Sequence, residues 1–78
     1  MKAVIIGCGL IARSHANTIQ KNEDAQLVAV CDVDPIKANT LATEFGVKAF
    51  TDAAEMLEKV KPDFAVISVP TFLHEEYV

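Results

Sequence analysis

The stretch Gly7-Cys8-Gly9-Leu10-Ile11-Ala12 follows the short apolar run Ala3-Val4-Ile5-Ile6 and has the form G-x-G-x-x-A. Residues of this kind make a tight turn between a buried strand and the first turn of a helix. Gly7 allows backbone angles that a Cβ would resist. Gly9 leaves no side chain between the backbone and a bound pyrophosphate, and Ala12 lets the helix lie close against the strand. The N-terminus of that helix directs unpaired N–H groups and a partial positive charge at a phosphate. Glycine turns after strands are common, so the weight of this one depends on its surroundings.

Working outward, Lys2 to Ile6 reads as a strand buried on both faces, and a helix is expected from Leu10 to Lys21. Ala12, Ala16 and Ile19 recur at i, i+4 and i+7, a face of small residues suited to packing on a sheet. After the polar break Asn22-Glu23-Asp24, the run Gln26 to Cys31 predicts a second strand, with Asp32 the first polar residue beyond it. Asp34-Pro35 opens the next helix with an acid at the N-cap and proline at the first helical position. Ala38, Leu41, Ala42 and Phe45 form its apolar face, and Gly46 stops it. Val47 to Phe50 is a short third strand. Asp52-Ala53-Ala54-Glu55 resembles a capping box, with Ala53, Met56, Leu57 and Val60 as the buried face of a third helix. Lys59 and Lys61 suit the negative end of that helix, and Pro62 terminates it. Phe64 to Val69 is a fourth apolar strand, Pro70 breaks it, and a further helix begins near Phe72.

The order β-α-β-α-β-α-β predicts an α/β fold with a parallel, Rossmann-type sheet and right-handed crossovers. The expected strand order is 3-2-1-4, with a ligand crevice where the order reverses between the first and fourth strands. Gly7 to Gly9 would line one side of it and Pro70 to His74 the other.

Composition narrows the function. Seventy-eight residues make at most one small domain, and seven basic against eleven acidic residues give a net charge of −4. That balance argues against nucleic acid or an anionic membrane as partner, since both call for a basic surface. No apolar run approaches the roughly 18 residues of a membrane span, and the start does not resemble a signal peptide. Cys8 and Cys31 lack metal-ligand spacing, so they read as reduced thiols of a cytoplasmic protein, with no metal site expected.

Asp32 is the companion that turns a phosphate site into a dinucleotide site. A carboxylate about 20 residues past the glycines, at the end of the second strand, accepts hydrogen bonds from a ribose diol. The plainer reading is a loop aspartate capping the next helix, but Asp34 stands better placed for that and leaves Asp32 free. An acid there repels a 2′-phosphate and no arginine follows to bind one, so NAD is favoured over NADP.

Gly7-Cys8-Gly9-Leu10-Ile11-Ala12 followed by His15, with Val28-Ala29-Val30-Cys31-Asp32, resembles the Gfo/Idh/MocA family of oxidoreductases. The segment Lys61 to His74 strengthens the resemblance, since family members carry a D-x-V-x-I-x-T-P-N-x-x-H run at the fourth strand and the loop after it. The likeness covers nearly the whole chain. It implies NAD(P)-dependent oxidation or reduction of sugars, inositols and related polyols. It places Gly7, Gly9, Leu10 and Ile11 around the pyrophosphate and Asp32 on the adenosine ribose, with Pro70, Thr71 and His74 toward the nicotinamide half. Thr71 stands where the family commonly has asparagine, and Val69 where it commonly has threonine.

Other residues have simpler roles open to them. His74 would be a proton donor or acceptor only if it reached the substrate oxygen; a helix-cap or cofactor contact is the plainer role. His15 reads as structural and Arg13 as solvated rather than phosphate-binding. Cys8 reads as a small packing residue, although a helix N-terminus would lower its pKa. Glu75-Glu76 reads as a solvated face. The family's catalytic lysine belongs to a Glu-Lys-Pro motif on a later strand, and the substrate residues to a second domain. Neither is expected within residues 1–78, which read as the first part of the dinucleotide-binding domain, with little or no turnover alone. The resemblance further implies a homo-oligomeric parent. The alternative is a non-catalytic NAD(H)-binding module, such as a redox-sensing regulator or accessory subunit. A continuation into Glu-Lys-Pro would separate the two.

Overall fold

The computed structural model describes residues 1–68. Along them alternate β1 (Lys2–Ile6), α1 (Leu10–Lys21), β2 (Gln26–Cys31), α2 (Pro35–Phe45), β3 (Lys48–Phe50), α3 (Ala53–Val60) and β4 (Phe64–Ile67). The four strands form one sheet in the order β3-β2-β1-β4, every pairing parallel. This is the expected order, with β1 inside the sheet and the reversal between β1 and β4. Val69, Pro70 and the helix anticipated near Phe72 lie outside the described residues.

Both faces of β1 and β2 are covered, which is why those strands are almost continuously apolar, while Ala65 and Ile67 of β4 are exposed among the described residues. Ala3, Ile5, Leu27 and Val30 meet Ala12, Ala16 and Ile19 of α1 and Ala38, Leu41 and Ala42 of α2. Val4, Ala29 and Cys31 meet Met56 of α3. Full burial of a side chain such as Met56 contributes about 1.5–3 kcal/mol relative to leaving it exposed. Leu57, expected on the same buried face, is instead 41% exposed. The helix turns only a narrow stripe to the sheet, and Met56 fills it.

The pairing of β1 with β2 has one irregularity. Ala3 lies opposite Leu27 but Val4 lies opposite Ala29, so Val28 is skipped. This extra residue changes the phase of β2: Leu27 and Val30 face α1 and α2, while Ala29 and Cys31 face α3. Under strict alternation from Leu27, residue 32 would belong to the α3 side. The bulge returns it to the α1 side.

Helix ends follow the expected chemistry with two adjustments. Asp34 caps α2 by accepting from the Ile36 N–H (2.9 Å), and Gly46 ends it at φ +67°. Val47, anticipated as strand, closes that turn through its N–H to the Ala42 carbonyl (2.9 Å), so β3 begins one residue later. Asp52 caps α3 by accepting from the Ala54 and Glu55 N–H groups (2.9 and 3.3 Å). The Glu55 carboxylate bonds Lys59 (3.1 Å), so only one half of the capping box is made.

Candidate functional site

The carboxyl ends of β1 and β2 meet the start of α1, and three residues define the junction. Gly7 has φ +97°. A Cβ there would overlap the Ser68 carbonyl oxygen and stand 2.8 Å from its carbon. The Gly7 N–H donates to the Cys31 carbonyl (2.7 Å) and the Ser68 N–H to the Ile6 carbonyl (2.7 Å), so the turn is held between the ends of β2 and β4.

Gly9 is the N-cap of α1, with φ −80°, and no side chain caps that helix. This sets α1 apart from α2 and α3, which Asp34 and Asp52 cap. Helix geometry gives the N–H groups of Gly9, Leu10 and Ile11 no intrahelical acceptor, while Ala12 N–H reaches the Gly9 carbonyl (3.1 Å). Among the described residues, a Cβ on Gly9 would meet nothing within 4 Å. None of them stands over the start of the helix, whose first N–H groups lack intrahelical acceptors, and the exposed Ile11 stands beside it. Ala12 is fully buried against the sheet, the close approach expected of a small residue there.

Asp32, half-buried at the end of β2, accepts from the Cys8 N–H through Oδ2 (2.7 Å) and from the Asp34 N–H through Oδ1 (2.8 Å). Asp34 caps α2, as expected, and Asp32 does not; the Asp32 carboxylate is nonetheless engaged, by the glycine turn and by the approach to that helix. An ionised carboxylate has about four acceptor sites, so two remain for hydroxyl donors. An open helix N-terminus takes an anion, and the groups present fit a phosphate beside a diol.

A cleft of about 340 Å³ runs from this junction, with Cys8, Gly9 and Arg13 on one side and Ile36, Lys37, Thr40 and Leu41 on the other. Arg13 does not turn to the helix N-terminus; it pairs with Glu44 (2.9 Å) and ties α1 to α2. His15 is half-buried one helical turn beyond Ile11, away from the junction. Pro70, Thr71 and His74 lie outside the described residues.

Cys8 is buried, and its Sγ–H donates to the Cys31 carbonyl (3.4 Å). Burial pushes its pKa up to about 11; the nearby Asp32 carboxylate and Cys31 add to the rise. The helix N-terminus therefore does not activate it. We expect iodoacetamide at pH 8 to label Cys8 about tenfold or more slowly than a free thiol, because thiolate content outweighs the gain in nucleophilicity. Peptide mapping should show labelling that still rises toward pH 11; a plateau near pH 8 would contradict this. The Cys31 pKa is raised as well, by burial and then by Asp32 and Asp52.

Among the described residues no cluster of three or more His, Cys, Asp or Glu is placed to hold a metal ion, and no helix is long and apolar enough to cross a membrane.

Two features were not legible beforehand. The Cys8 N–H donates to the Asp32 carboxylate, and Gly7 lies against the Ser68 backbone; both contacts join positions distant in sequence, and spacing along the chain announces neither.

Comparison with known proteins agrees with this architecture. The oxidoreductase family with an NAD-binding Rossmann fold, Gfo/Idh/MocA, matches residues 1–78. The chain is 32% identical over 78 residues to D-apiose dehydrogenase of Paraburkholderia graminis, covering 99% of this chain and 21% of that protein. It is 36% identical over 75 residues to inositol 2-dehydrogenase of Rhizobium meliloti, covering 95% and 22%. Among solved structures, an Agrobacterium radiobacter oxidoreductase in complex with NAD+, L-tartaric acid and magnesium superposes with a TM-score of 0.86 at 27% identity, covering 99% of this chain and 23% of that one. Scyllo-inositol dehydrogenase of Lactobacillus casei, with bound NAD(H) and scyllo-inositol, gives 0.81 at 29% identity, covering 97% and 23%. The chain thus spans about a fifth of the length of these relatives. With a parallel 3-2-1-4 sheet and a glycine turn opening α1, it belongs to the Gfo/Idh/MocA oxidoreductase family and carries that family's NAD-binding Rossmann fold.

Proposed function

We propose that the full-length protein is an NAD-dependent dehydrogenase acting on a sugar, inositol or related polyol, and that residues 1–78 form the first part of its cofactor-binding domain. The observation that carries this is the juxtaposition of the uncapped start of α1 with the Asp32 carboxylate, joined through Cys8 (2.7 Å). Gly7, Gly9, Leu10 and Ile11 surround the pyrophosphate, with backbone N–H groups as donors. Asp32 accepts from the adenosine ribose hydroxyls through its remaining lone pairs. Pro70, Thr71 and His74 extend along the cofactor toward its nicotinamide half. The bound cofactor supplies hydride transfer, while these residues orient it and fix which face meets the substrate. The substrate class follows the relatives, among them the inositol dehydrogenases. Catalytic and substrate-binding groups belong to the further length those relatives possess.

Titration of the full-length protein with NADH and NADPH tests the ribose assignment. NADH should bind more tightly than NADPH, whose 2′-phosphate would face a carboxylate. Asp32→Ala should weaken NADH by roughly ten- to hundredfold, the scale of losing hydrogen bonds to a charged group. Unchanged NADH affinity in the variant would remove Asp32 from the site.

A further inference from the structure

We propose that Asp32 is also a positioning residue for the pyrophosphate turn, bracing it before any cofactor arrives. The inference rests on the reading of this junction as a dinucleotide site but concerns a different half of the ligand. Gly7 makes the last strand-like bond at the end of β1, its N–H donating to the Cys31 carbonyl. A continuing strand would aim the next N–H, that of Cys8, at β4, but Gly7 at φ +97° turns the chain out of the sheet and brings that N–H to the β2 side. There the Asp32 side chain accepts it (2.7 Å) and adds one tie between the end of β2 and the turn beyond β1. Its own backbone is held in turn, Asp32 N–H donating to the Phe50 carbonyl of β3 (3.1 Å). Its second oxygen is engaged by Asp34 N–H (2.8 Å).

The carboxylate is thereby held by two N–H groups and its backbone by the Phe50 carbonyl, and it fixes Cys8 in turn. Cys8 directly precedes Gly9, the N-cap of the helix whose outward donors form the anion site. A turn already ordered loses less freedom when a diphosphate binds, which raises affinity without a new contact to the ligand. Asparagine has one acceptor oxygen instead of two, so it serves Cys8 or Asp34 but not both along with a diol.

The test separates the two halves of the cofactor. NADH and its analogue lacking both adenosine ribose hydroxyls are titrated into full-length wild type, Asp32→Asn and Asp32→Ala, with amide exchange at Cys8 followed in the cofactor-free wild type. Bracing predicts that Asp32→Ala weakens the dideoxy analogue at least fivefold, although no diol remains to be lost, with Asp32→Asn intermediate. It also predicts Cys8 amide exchange at least tenfold slower than in an open chain. Analogue affinity unchanged by both substitutions, or an unprotected Cys8 amide, would overturn the brace and leave the ribose reading standing. Equal wild-type affinity for NADH and the analogue would overturn the ribose reading, with the brace still judged by the fivefold criterion. If Asp32→Ala does not fold, Asp32→Asn and the wild-type amide decide.

Discussion

Gly7→Ala is expected to destabilise the domain by more than about 4 kcal/mol, the range reached only when a substitution meets a specific structural obstacle. Two costs act together. A non-glycine residue at φ +97° is itself strained, by about 1–3 kcal/mol. The added Cβ also overlaps the carbonyl oxygen of Ser68 and stands 2.8 Å from its carbon. No rotamer relieves this, because the obstacle is backbone. The end of β4 must move away from β1, putting at risk the bond between Ser68 N–H and the Ile6 carbonyl (2.7 Å). Denaturant unfolding of the full-length variant should show the loss directly, and a shift below about 1 kcal/mol would mean the turn and Ser68 do not stand this close.

Gly9→Val should do the reverse, leaving the fold nearly intact and removing the cofactor. The residue lies at φ −80° and ψ −168°, ordinary extended backbone for an N-cap, and among the described residues a Cβ meets nothing within 4 Å. Replacing an N-cap glycine with an apolar residue should cost less than about 1 kcal/mol. The isopropyl group, however, would occupy the open space in front of the α1 donors. Losing two charge-assisted hydrogen bonds to a diphosphate corresponds to about 3 kcal/mol or more, over a hundredfold in affinity. Isothermal titration with NADH, beside a melting curve, checks both halves. Retained affinity would move the diphosphate away from Gly9.

The contrast between these glycines shows how far residue type can be read. Both were recognisable as turn glycines, and the expectation for Gly9 was that no side chain should stand over the N-terminus of α1. Gly7 was expected to relieve local dihedral strain, and it does. Its closer constraint is Ser68, sixty-one positions later, which enters only when β4 pairs with β1. Cys8 shows the same limit. Its neighbour in sequence is a helix N-terminus, which lowers a thiol pKa, whereas its neighbours in space are apolar side chains and a carboxylate, which raise it.

By itself the sequence determined the order of elements, the caps of α2 and α3, the parallel sheet and its 3-2-1-4 order, and the family. These follow from patterns only a few residues long, because apolar spacing, N-cap acids and terminal glycines act locally. The tertiary structure alone decided which way Asp32 faces. Leu27-Val28-Ala29-Val30-Cys31 is apolar throughout, so its sides are not distinguishable along the chain. Pairing with β1 skips Val28 and shifts the phase, which turns the Asp32 carboxylate to the glycine turn and within 2.7 Å of the Cys8 nitrogen. Register is a property of two strands together, and a single uniformly apolar strand does not encode it.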